Sequence, residues 1–230
     1  MLSKISIVIP VLNEAHHLSK TLATLTEATG VDLIVVDGGS QDDTIAVAQS
    51  AHAKVISAPA GRAAQMNAGA AIATGEILLF LHADTQLPLS FETLIRGTLA
   101  QPRTIAGAFD LTIDAPGFGV RLVEWGVHLR SRYLQLPYGD QAIFLPKPVF
   151  HAVGGFPDLP IMEDFELVQR LHQHGKIAIV PAPVITSGRR WQRLGVLRTT
   201  LVNQLVIGAY VLGISPDLIR RWYRSGLGRG

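Results

Sequence analysis

Apolar and polar positions in the first hundred residues follow two alternating patterns. Short runs rich in β-branched residues and apolar on both faces predict buried strands. Longer stretches with leucine or alanine at helical spacing separate them and predict helices. The predicted strands are 4–10, 33–36, 54–57 and 76–81, and the predicted helices are 14–28, 42–51 and 62–73. This order is typical of an α/β fold with a mainly parallel sheet and helices on both faces.

The pattern loosens after residue 102. There we predict strands over 105–113, 141–145 and 177–180, and helices over 118–134 and 163–174. No internal repeat or low-complexity linker divides the chain. We therefore expect a catalytic domain over residues 1–190 and a C-terminal helical tail over residues 191–230.

Composition narrows the class of protein. Hydrophobic residues make up 48% of the chain and charged residues 17%, which is enough apolar material for a core. The absence of cysteine excludes disulfides and thiolate metal sites. A net charge of +2 gives no support to nucleic-acid binding. The first apolar run is broken at Pro10, too early for a secretory signal, so we expect a cytoplasmic protein.

Polar and acidic residues follow three of the predicted strands. The segments are Pro10 to Glu14, Asp37 to Asp43, and His82 to Asp84. Ligands of parallel sheets bind at the carboxyl ends of the strands, so these segments predict a site. Asp37 either accepts hydrogen bonds from a nucleoside or shapes its turn. Asp84 either binds a hard divalent cation or caps the segment that follows.

Three later features are further candidates. Glu163 and Asp164 begin a predicted helix. Either they are there because the helix dipole favours carboxylates at its start, or one of them is a general base. Arg62 begins another helix and could reach a phosphate, or it is a solvated surface group. Arg189 and Arg190 could hold a diphosphate and Trp191 a sugar or base, or this segment is a basic collar beside a membrane.

In their order along the chain, these segments resemble family 2 glycosyltransferases of the GT-A fold. The resemblance rests on Ile-Val-Ile-Pro-Val-Leu-Asn-Glu, Val-Val-Asp-Gly-Gly-Ser-x-Asp-x-Thr, Asn-x-Gly, Leu-His-Ala-Asp and Glu-Asp, at residues 7–14, 35–44, 67–69, 81–84 and 163–164. It extends from about residue 4 to residue 191. It is closest to a small bacterial subgroup labelled arsenosugar-biosynthesis-associated.

The resemblance implies an inverting transfer of a sugar from a nucleotide-diphosphate donor, a UDP-sugar in our expectation, to a hydroxyl of an unknown small-molecule or lipid acceptor. It makes Asp164 the base with Glu163 beside it. It makes Asp84 the ligand of Mn²⁺ or Mg²⁺. The expected donor-site residues are Pro10, Asn13, Glu14, Asp37, Gly39, Arg62, Asn67, His82, Ala83, Arg190 and Trp191.

Two departures from the family pattern qualify this expectation. His82 stands where the family has the first aspartate of Asp-x-Asp, so it either donates a hydrogen bond or ligates the cation. Thr186 or Ser187 stands where processive relatives have glutamine, which disfavours polymer synthesis. Two alternatives remain. A nucleotidyltransferase would need a glycine-rich loop with Arg and Lys after the first strand, and a catalytically weak sugar-nucleotide-binding protein would tolerate His82.

The stretch 199–216 of the predicted tail has no charged residue, and arginines flank it on both sides. Eighteen helical residues would span about 27 Å, at the edge of a bilayer's thickness. Three alternatives stay open. The tail packs on its own domain or in a homodimer, lies as an interfacial helix on the inner face of the plasma membrane, or spans it.

Overall fold

The computed structural model describes residues 3–226 and forms one eight-stranded sheet with helices on both sides. The strands are β1 (Ile5–Val11), β2 (Val31–Asp37), β3 (Lys54–Ser57), β4 (Ile77–Phe80), β5 (Thr85–Gln86), β6 (Thr104–Asp114), β7 (Phe144–Pro146) and β8 (Lys176–Ser187). The helices are α1 (Ala15–Ala23), α2 (Thr44–Ser50), α3 (Arg62–Ile72), α4 (Phe91–Leu99), α5 (Phe118–Tyr133), α6 (Lys147–Ala152), α7 (Glu163–His172), α8 (Arg189–Leu194), α9 (Val196–Val211) and α10 (Pro216–Gly226). A short 3₁₀ turn covers Gly139–Gln141.

The strand order is β3-β2-β1-β4-β7-β6-β8-β5. β3, β2, β1 and β4 pair in parallel, and β6 and β8 share their direction. β7 and β5 run antiparallel to their neighbours. The predicted α/β fold with a mainly parallel sheet and a helical tail is therefore confirmed, with two opposed strands in a mixed sheet.

Side chains of β1 alternate between two hydrophobic cores. Ile5, Ile7 and Ile9 pack on one face of the sheet with α1 and α4. Val8 packs on the other face with α3, α6 and α7. Because both faces are covered, the strand is apolar at consecutive positions, which is the pattern that predicted a buried strand.

β8 is longer than the predicted strand 177–180 because it continues to Ser187 past two prolines. Its register against β6 shifts between Phe109, opposite Val180, and Asp110, opposite Pro183. This bulge absorbs Pro181 and Ala182, which the ladder does not pair. Sequence pattern alone also missed α4 and α6.

The C-terminal tail is helical, as predicted, and it contacts the start of α7. Ile161, Met162 and Phe165 form a small core with Ile219 of α10. None of the helices within residues 3–226 is long and apolar enough to cross a bilayer. The boundary at residue 190 stays a prediction, and residues 1–2 and 227–230 of the two predicted domains lie outside the described part of the chain.

Candidate donor and catalytic site

The carboxyl ends of β1, β2 and β4 lie side by side at one edge of the sheet. Val11 at the end of β1 is paired with Asp37 at the end of β2. Leu81, just after β4, donates its N–H to the carbonyl of Val8 at 3.0 Å. This register places the Asp37 turn and the segment that carries Asp84 on either side of the end of β1.

The Asp37 carboxylate shapes the turn after β2. It is buried and accepts hydrogen bonds from the N–H groups of Gly39 at 2.9 Å and Ser40 at 3.1 Å. Gly39 has φ +101°, a backbone conformation that favours glycine. The predicted turn chemistry is therefore present. Since each carboxylate oxygen has two lone pairs, the turn leaves acceptor capacity for a ligand.

Asn13 joins the loop after β1 to the loop after β2. Its N–H donates to Ser40 Oγ at 2.9 Å, and its Oδ1 accepts the N–H of Gln41 at 2.7 Å. Pro10 is buried within β1, and the buried Ala83 accepts a hydrogen bond from Thr21 Oγ1 at 2.8 Å through its carbonyl. Asn13 and Ala83 thus stabilise the strand-end loops, whereas Pro10 is part of the strand.

Gln65 of α3 ties the ends of β1 and β2 together and was missed by sequence reasoning. Its buried Nε2 donates to the carbonyl oxygens of Val11 at 2.8 Å and Val36 at 2.7 Å. A Cβ on Gly38 would lie 3.1 Å from the same nitrogen. The only sequence signal was a long polar side chain in an alanine-rich helix.

We expect Gln65→Leu to lower the free energy of unfolding by about 1–3 kcal/mol, because two buried carbonyls lose a hydrogen bond. Thermal denaturation measures the effect, and the exposed Gln49→Leu on α2 is the control. Equal melting temperatures for the two variants would show that the carbonyls find other partners.

Asn67, also on α3, lies away from the strand ends. Its amide donates to the carbonyl of Phe156 at 2.8 Å and accepts the N–H of Phe156 at 3.0 Å. The side chain therefore fixes the loop after α6, and the geometry gives no support to its predicted place in the donor site. A shallow open depression of about 340 Å³, lined by Asn67, Phe150 and Gly155 among others, lies there too and contains none of the strand-end residues.

Asp164, at the start of α7, is held beside the 3₁₀ turn. Its Oδ2 accepts the N–H of Gly139 at 2.7 Å, and its Oδ1 accepts the N–H of Phe165 at 2.8 Å. A Cβ on Gly139 would lie 3.0 Å from His82 Nε2 and 3.1 Å from Asp164 Oδ2. Glycine therefore lets the end of β4 and the start of α7 approach each other closely. Sequence reasoning assigns no role to Gly139.

Glu163 and Arg62 form an ion pair next to this base candidate. The Glu163 carboxylate is 2.7 Å from Arg62 Nε and is almost fully buried, whereas the Arg62 side chain is half exposed. Burial raises the pKa of Glu163, and the Arg62 guanidinium opposes that rise. In this structure Glu163 orients Arg62, and the neighbouring Asp164 is the more open carboxylate.

Arg189 reaches the site in place of Arg190, the arginine that the family resemblance favoured. Its guanidinium contacts both Glu14 and Asp84. Arg190 instead donates to Asn203 of α9 at 2.9 Å and lies over the ring of Tyr223. The structure thus gives no support to the expected position of Arg190, because α8 begins at Arg189 and successive side chains of a helix point in different directions.

Trp191, the other member of the expected pair, packs against the core under β1. Its indole nitrogen is buried and has no hydrogen-bond partner among the described residues. The geometry therefore does not present its ring to a sugar at the strand ends.

Residues 6–156 match the family described as glycosyl transferase family 2. This stretch is more than half of the chain and contains the three strand ends. The chain belongs to glycosyl transferase family 2. The more specific resemblance to the arsenosugar-associated subgroup stays a prediction.

Three relatives illustrate how the family fold is shared. A TPR repeat-containing protein of Synechococcus elongatus is 36% identical over 107 residues, which are 46% of this chain and 26% of that protein, so the match spans about a quarter of the relative. The mannosyltransferase PcManGT of Pyrobaculum calidifontis, solved with GDP-Man and Mn²⁺, superposes with TM-score 0.69 at 17% identity over 97% of this chain and 68% of that one. Glucosyl-3-phosphoglycerate synthase of Mycobacterium tuberculosis was solved with Mn²⁺, UDP-glucose and phosphoglyceric acid. It superposes with TM-score 0.60 at 22% identity over 79% of this chain and 70% of that one.

Asp84 is the strand-end residue whose chemistry suits a hard cation. Within residues 3–226, no three His, Asp or Glu side chains converge on one point. The Asp84 carboxylate is one-fifth exposed, so a hard cation can reach it. Burial and then Arg62 lower the pKa of His82 to about 4, so its imidazole is neutral near pH 7. A neutral imidazole can either donate a hydrogen bond or ligate a cation, so both roles considered for His82 stay open.

His17 on α1 is another residue near the strand ends to which sequence reasoning assigns no role. It is half-buried, and burial followed by the Arg189 guanidinium lowers its pKa, while Glu14 and Asp84 oppose the change. The imidazole therefore lies among the charged groups of the family 2 site. Its spacing from Glu14, three residues away in the first turn of α1, was the available signal.

Asp140 is a further acid close to the base candidate. Burial raises the pKa of Asp140 to about 6 against the opposing effect of Arg130, and the Asp164 charge raises it further. Its Oδ1 is buried and has no hydrogen-bond partner among the described residues. The folded enzyme therefore binds a proton at Asp140 more tightly than the unfolded chain does.

We expect Asp140→Asn to stabilise the fold at neutral pH. Because its pKa is raised, Asp140 does not lower the free energy of unfolding below about pH 4, where it is protonated in both states. The loss of stability grows as the pH rises to about 6. Above that pH the pKa rise corresponds to about 2–3 kcal/mol. Melting temperatures of both proteins at pH 7.5 and 5.0 test this, and a gain that does not shrink at pH 5.0 would contradict it.

Proposed function

We propose that this protein is an inverting glycosyltransferase that moves a sugar from a UDP-sugar to an acceptor hydroxyl with the help of Mn²⁺ or Mg²⁺. The observation that supports the proposal most is the position of His82, whose pKa is affected by both Asp84 and Asp164. Both carboxylates thus lie near one imidazole, and a Cβ on Gly139 would contact His82 Nε2 at 3.0 Å and Asp164 Oδ2 at 3.1 Å. Membership of family 2 and the Mn²⁺ complexes of the two superposed enzymes with UDP-glucose and GDP-mannose support the same class of donor.

In the proposed reaction, the acceptor hydroxyl loses its proton to Asp164. The acceptor oxygen forms a bond to the anomeric carbon while the bond from that carbon to the diphosphate oxygen breaks, with inversion. The diphosphate leaves with the bonding electrons. The hydrogen bond from Gly139 N–H keeps the Asp164 carboxylate in place for this proton transfer.

Positive charge near the leaving group is the second requirement of this reaction. Arg62 is held by Glu163 and raises the local potential beside Asp164. Asp84, and His82 if it ligates, would hold the divalent cation, which supplies Lewis-acid stabilisation of the diphosphate when bound. Asp37 and Glu14 at the neighbouring strand ends would hold the nucleoside.

A donor panel tests the function. UDP- and GDP-sugars are incubated with the protein, Mn²⁺ and small hydroxyl acceptors, and nucleoside diphosphate is measured by chromatography. We expect release from at least one donor and product of inverted anomeric configuration by NMR. Pyrophosphate formed from a nucleoside triphosphate and a sugar phosphate would instead favour the nucleotidyltransferase. Binding without turnover of any donor would favour the sugar-nucleotide-binding protein.

We also propose that the enzyme contacts an anionic membrane surface from one side, which would suit a lipid acceptor. α5 and α9 lie next to each other, since a Cβ on Gly119 would be 3.3 Å from Val196. Each exposes apolar side chains at helical spacing: Phe118, Leu122 and Trp125 on α5, and Leu197, Leu201 and Leu205 on α9. Residues 189–226 contain seven arginines and one acidic residue. Exposed aromatic and leucine side chains with excess basic charge are typical of interfacial helices.

We expect the protein to float with vesicles that contain phosphatidylglycerol and not with phosphatidylcholine alone. The double variant Leu201→Glu, Leu205→Glu should stay unbound, because the charges oppose both burial and anionic lipid. Leu89→Glu is the control, since Leu89 lies in the loop before α4 and is more exposed than Leu201 or Leu205. If vesicles do not bind and sedimentation shows a dimer that the double variant loses, the surface is a homodimer interface.

A further inference from the structure

The end of β8 fixes the backbone of Arg189 beside Asp84. Ser187 donates its N–H to the carbonyl of Asp84 at 3.0 Å, and the hydroxyls of Thr186 and Thr85 are hydrogen-bonded at 3.0 Å. Gly188 follows, where a Cβ would lie 2.4 Å from the carbonyl oxygen of Asp114. No other residue type fits there without a backbone shift. The start of α8 is therefore built into the strand-end site.

The Arg189 guanidinium connects two of the expected ligand-binding carboxylates. Its Nη1 and Nη2 donate to Glu14 Oε2 at 2.9 Å and Oε1 at 2.6 Å, a two-point contact. Nη2 also lies 3.4 Å from Asp84 Oδ2. Half of the arginine side chain and one-fifth of each carboxylate are exposed. The Asp84 contact is the longer one and is open to solvent, so it is the easier one to break.

A divalent cation at Asp84 and a guanidinium at the same carboxylate would repel each other. The diphosphate of a donor offers a guanidinium an alternative, because planar N–H pairs bind phosphate oxygens at two points. Arg62 and Arg190 are already engaged with Glu163 and Asn203. Among the three arginines considered for the site, Arg189 alone contacts the carboxylates that a nucleotide and its cation would need.

We propose that Arg189 is the exchangeable counter-ion of the donor site. Without donor, its guanidinium neutralises Glu14 and Asp84. When the nucleotide binds, it leaves Asp84 to the divalent cation and pairs with the diphosphate. This inference rests on the proposed function and adds Arg189 to it as a positioning residue. It also adds a competition between Arg189 and the cation for Asp84, which the transfer reaction itself does not require.

The test separates cation binding from nucleotide binding in Arg189→Ala. Mn²⁺ affinity without nucleotide is measured by electron paramagnetic resonance, and affinity for UDP and GDP in excess Mn²⁺ by calorimetry. We expect Mn²⁺ alone to bind up to about 5-fold more tightly, since a weak competing ion pair is lost. We expect the nucleoside diphosphate to bind at least about 10-fold more weakly, since charged hydrogen bonds to phosphate are lost. Arg189→Lys should fall between the variant and the wild type in both measurements.

The opposite signs distinguish this role from a structural one, which would weaken both affinities. Arg193→Ala, on the exposed side of the same helix, is the matched control. Unchanged affinities, or a loss of both in Arg189→Ala with a normal melting temperature, would overturn the inference and leave the proposed function standing. Failure of the wild-type protein to bind either nucleoside diphosphate with Mn²⁺ would overturn both. If Arg189→Ala does not fold, Arg189→Met preserves the side-chain volume and gives the same comparison.

Discussion

Asp164→Asn is expected to reduce turnover by about 10²–10⁴-fold and to leave the affinity for donor unchanged, because the amide cannot take a proton from the acceptor. The amide oxygen can still accept the hydrogen bond from Gly139 N–H, which Asp164 Oδ2 accepts now. The position of the 3₁₀ turn should therefore be preserved. Turnover is measured with the donor identified in the panel, and donor affinity by calorimetry in the presence of Mn²⁺.

The matched control is Asp158→Asn, which makes the same chemical change at an exposed position near the start of α7. Its turnover should stay within about twofold of wild type, as surface substitutions usually have small effects. If Asp164→Asn also retained near-normal turnover, the base would have to be a different carboxylate. Asp140, with its pKa raised to about 6, would then be the first alternative.

The sequence was most informative where the sheet is covered on both faces. β1, β2 and β4 are apolar at successive positions because their side chains enter two cores, and this signal does not depend on distant contacts. The apolar pattern predicts parallel strands, and the carboxyl ends of parallel strands lie at one edge of the sheet. The apolar pattern alone therefore predicts that Asp37 and Asp84 lie at the same edge of the sheet.

The residues that were missed depend on contacts that a linear pattern does not contain. The role of Gln65 depends on its hydrogen bonds to carbonyl groups of two different strands. The role of Gly139 depends on the close approach of His82 and Asp164 on either side of it in the fold. The choice between Arg189 and Arg190 depends on the residue at which α8 begins. Gly188, directly before α8, packs against Asp114, which lies far away in sequence.

The helical tail contributes to the surroundings of the base candidate, which the division at residue 190 did not anticipate. Tyr210 of α9 donates its hydroxyl to Glu166 at 3.0 Å, and burial followed by this hydrogen bond raises the pKa of Tyr210 to about 12. Arg190 connects α8 to α9 through Asn203 and to α10 through Tyr223. The residue expected to hold the diphosphate thus holds the tail against the site, one position away from the arginine that reaches Asp84.

Asp84→Ala is expected to remove the dependence of nucleoside diphosphate binding on Mn²⁺. In the proposed site Asp84 is the protein carboxylate that reaches the cation, and loss of groups at a metal site costs at least about 10–100-fold in metal affinity. Arg189 keeps its two-point contact with Glu14 in this variant, so the nucleoside side of the site should survive. Calorimetry with UDP and GDP, with and without Mn²⁺, measures the effect.

Asp158→Ala serves as the control for the loss of one exposed negative charge and should bind as wild type does. The assignment is supported if Mn²⁺ raises the affinity of the wild-type protein for nucleoside diphosphate and leaves the weaker affinity of Asp84→Ala unchanged. The same Mn²⁺ response in both proteins would place the cation at other residues. His82 and Asp140 would be tested next, because His82 lies beside Asp84 in the chain and the Asp84 charge contributes to the raised pKa of Asp140.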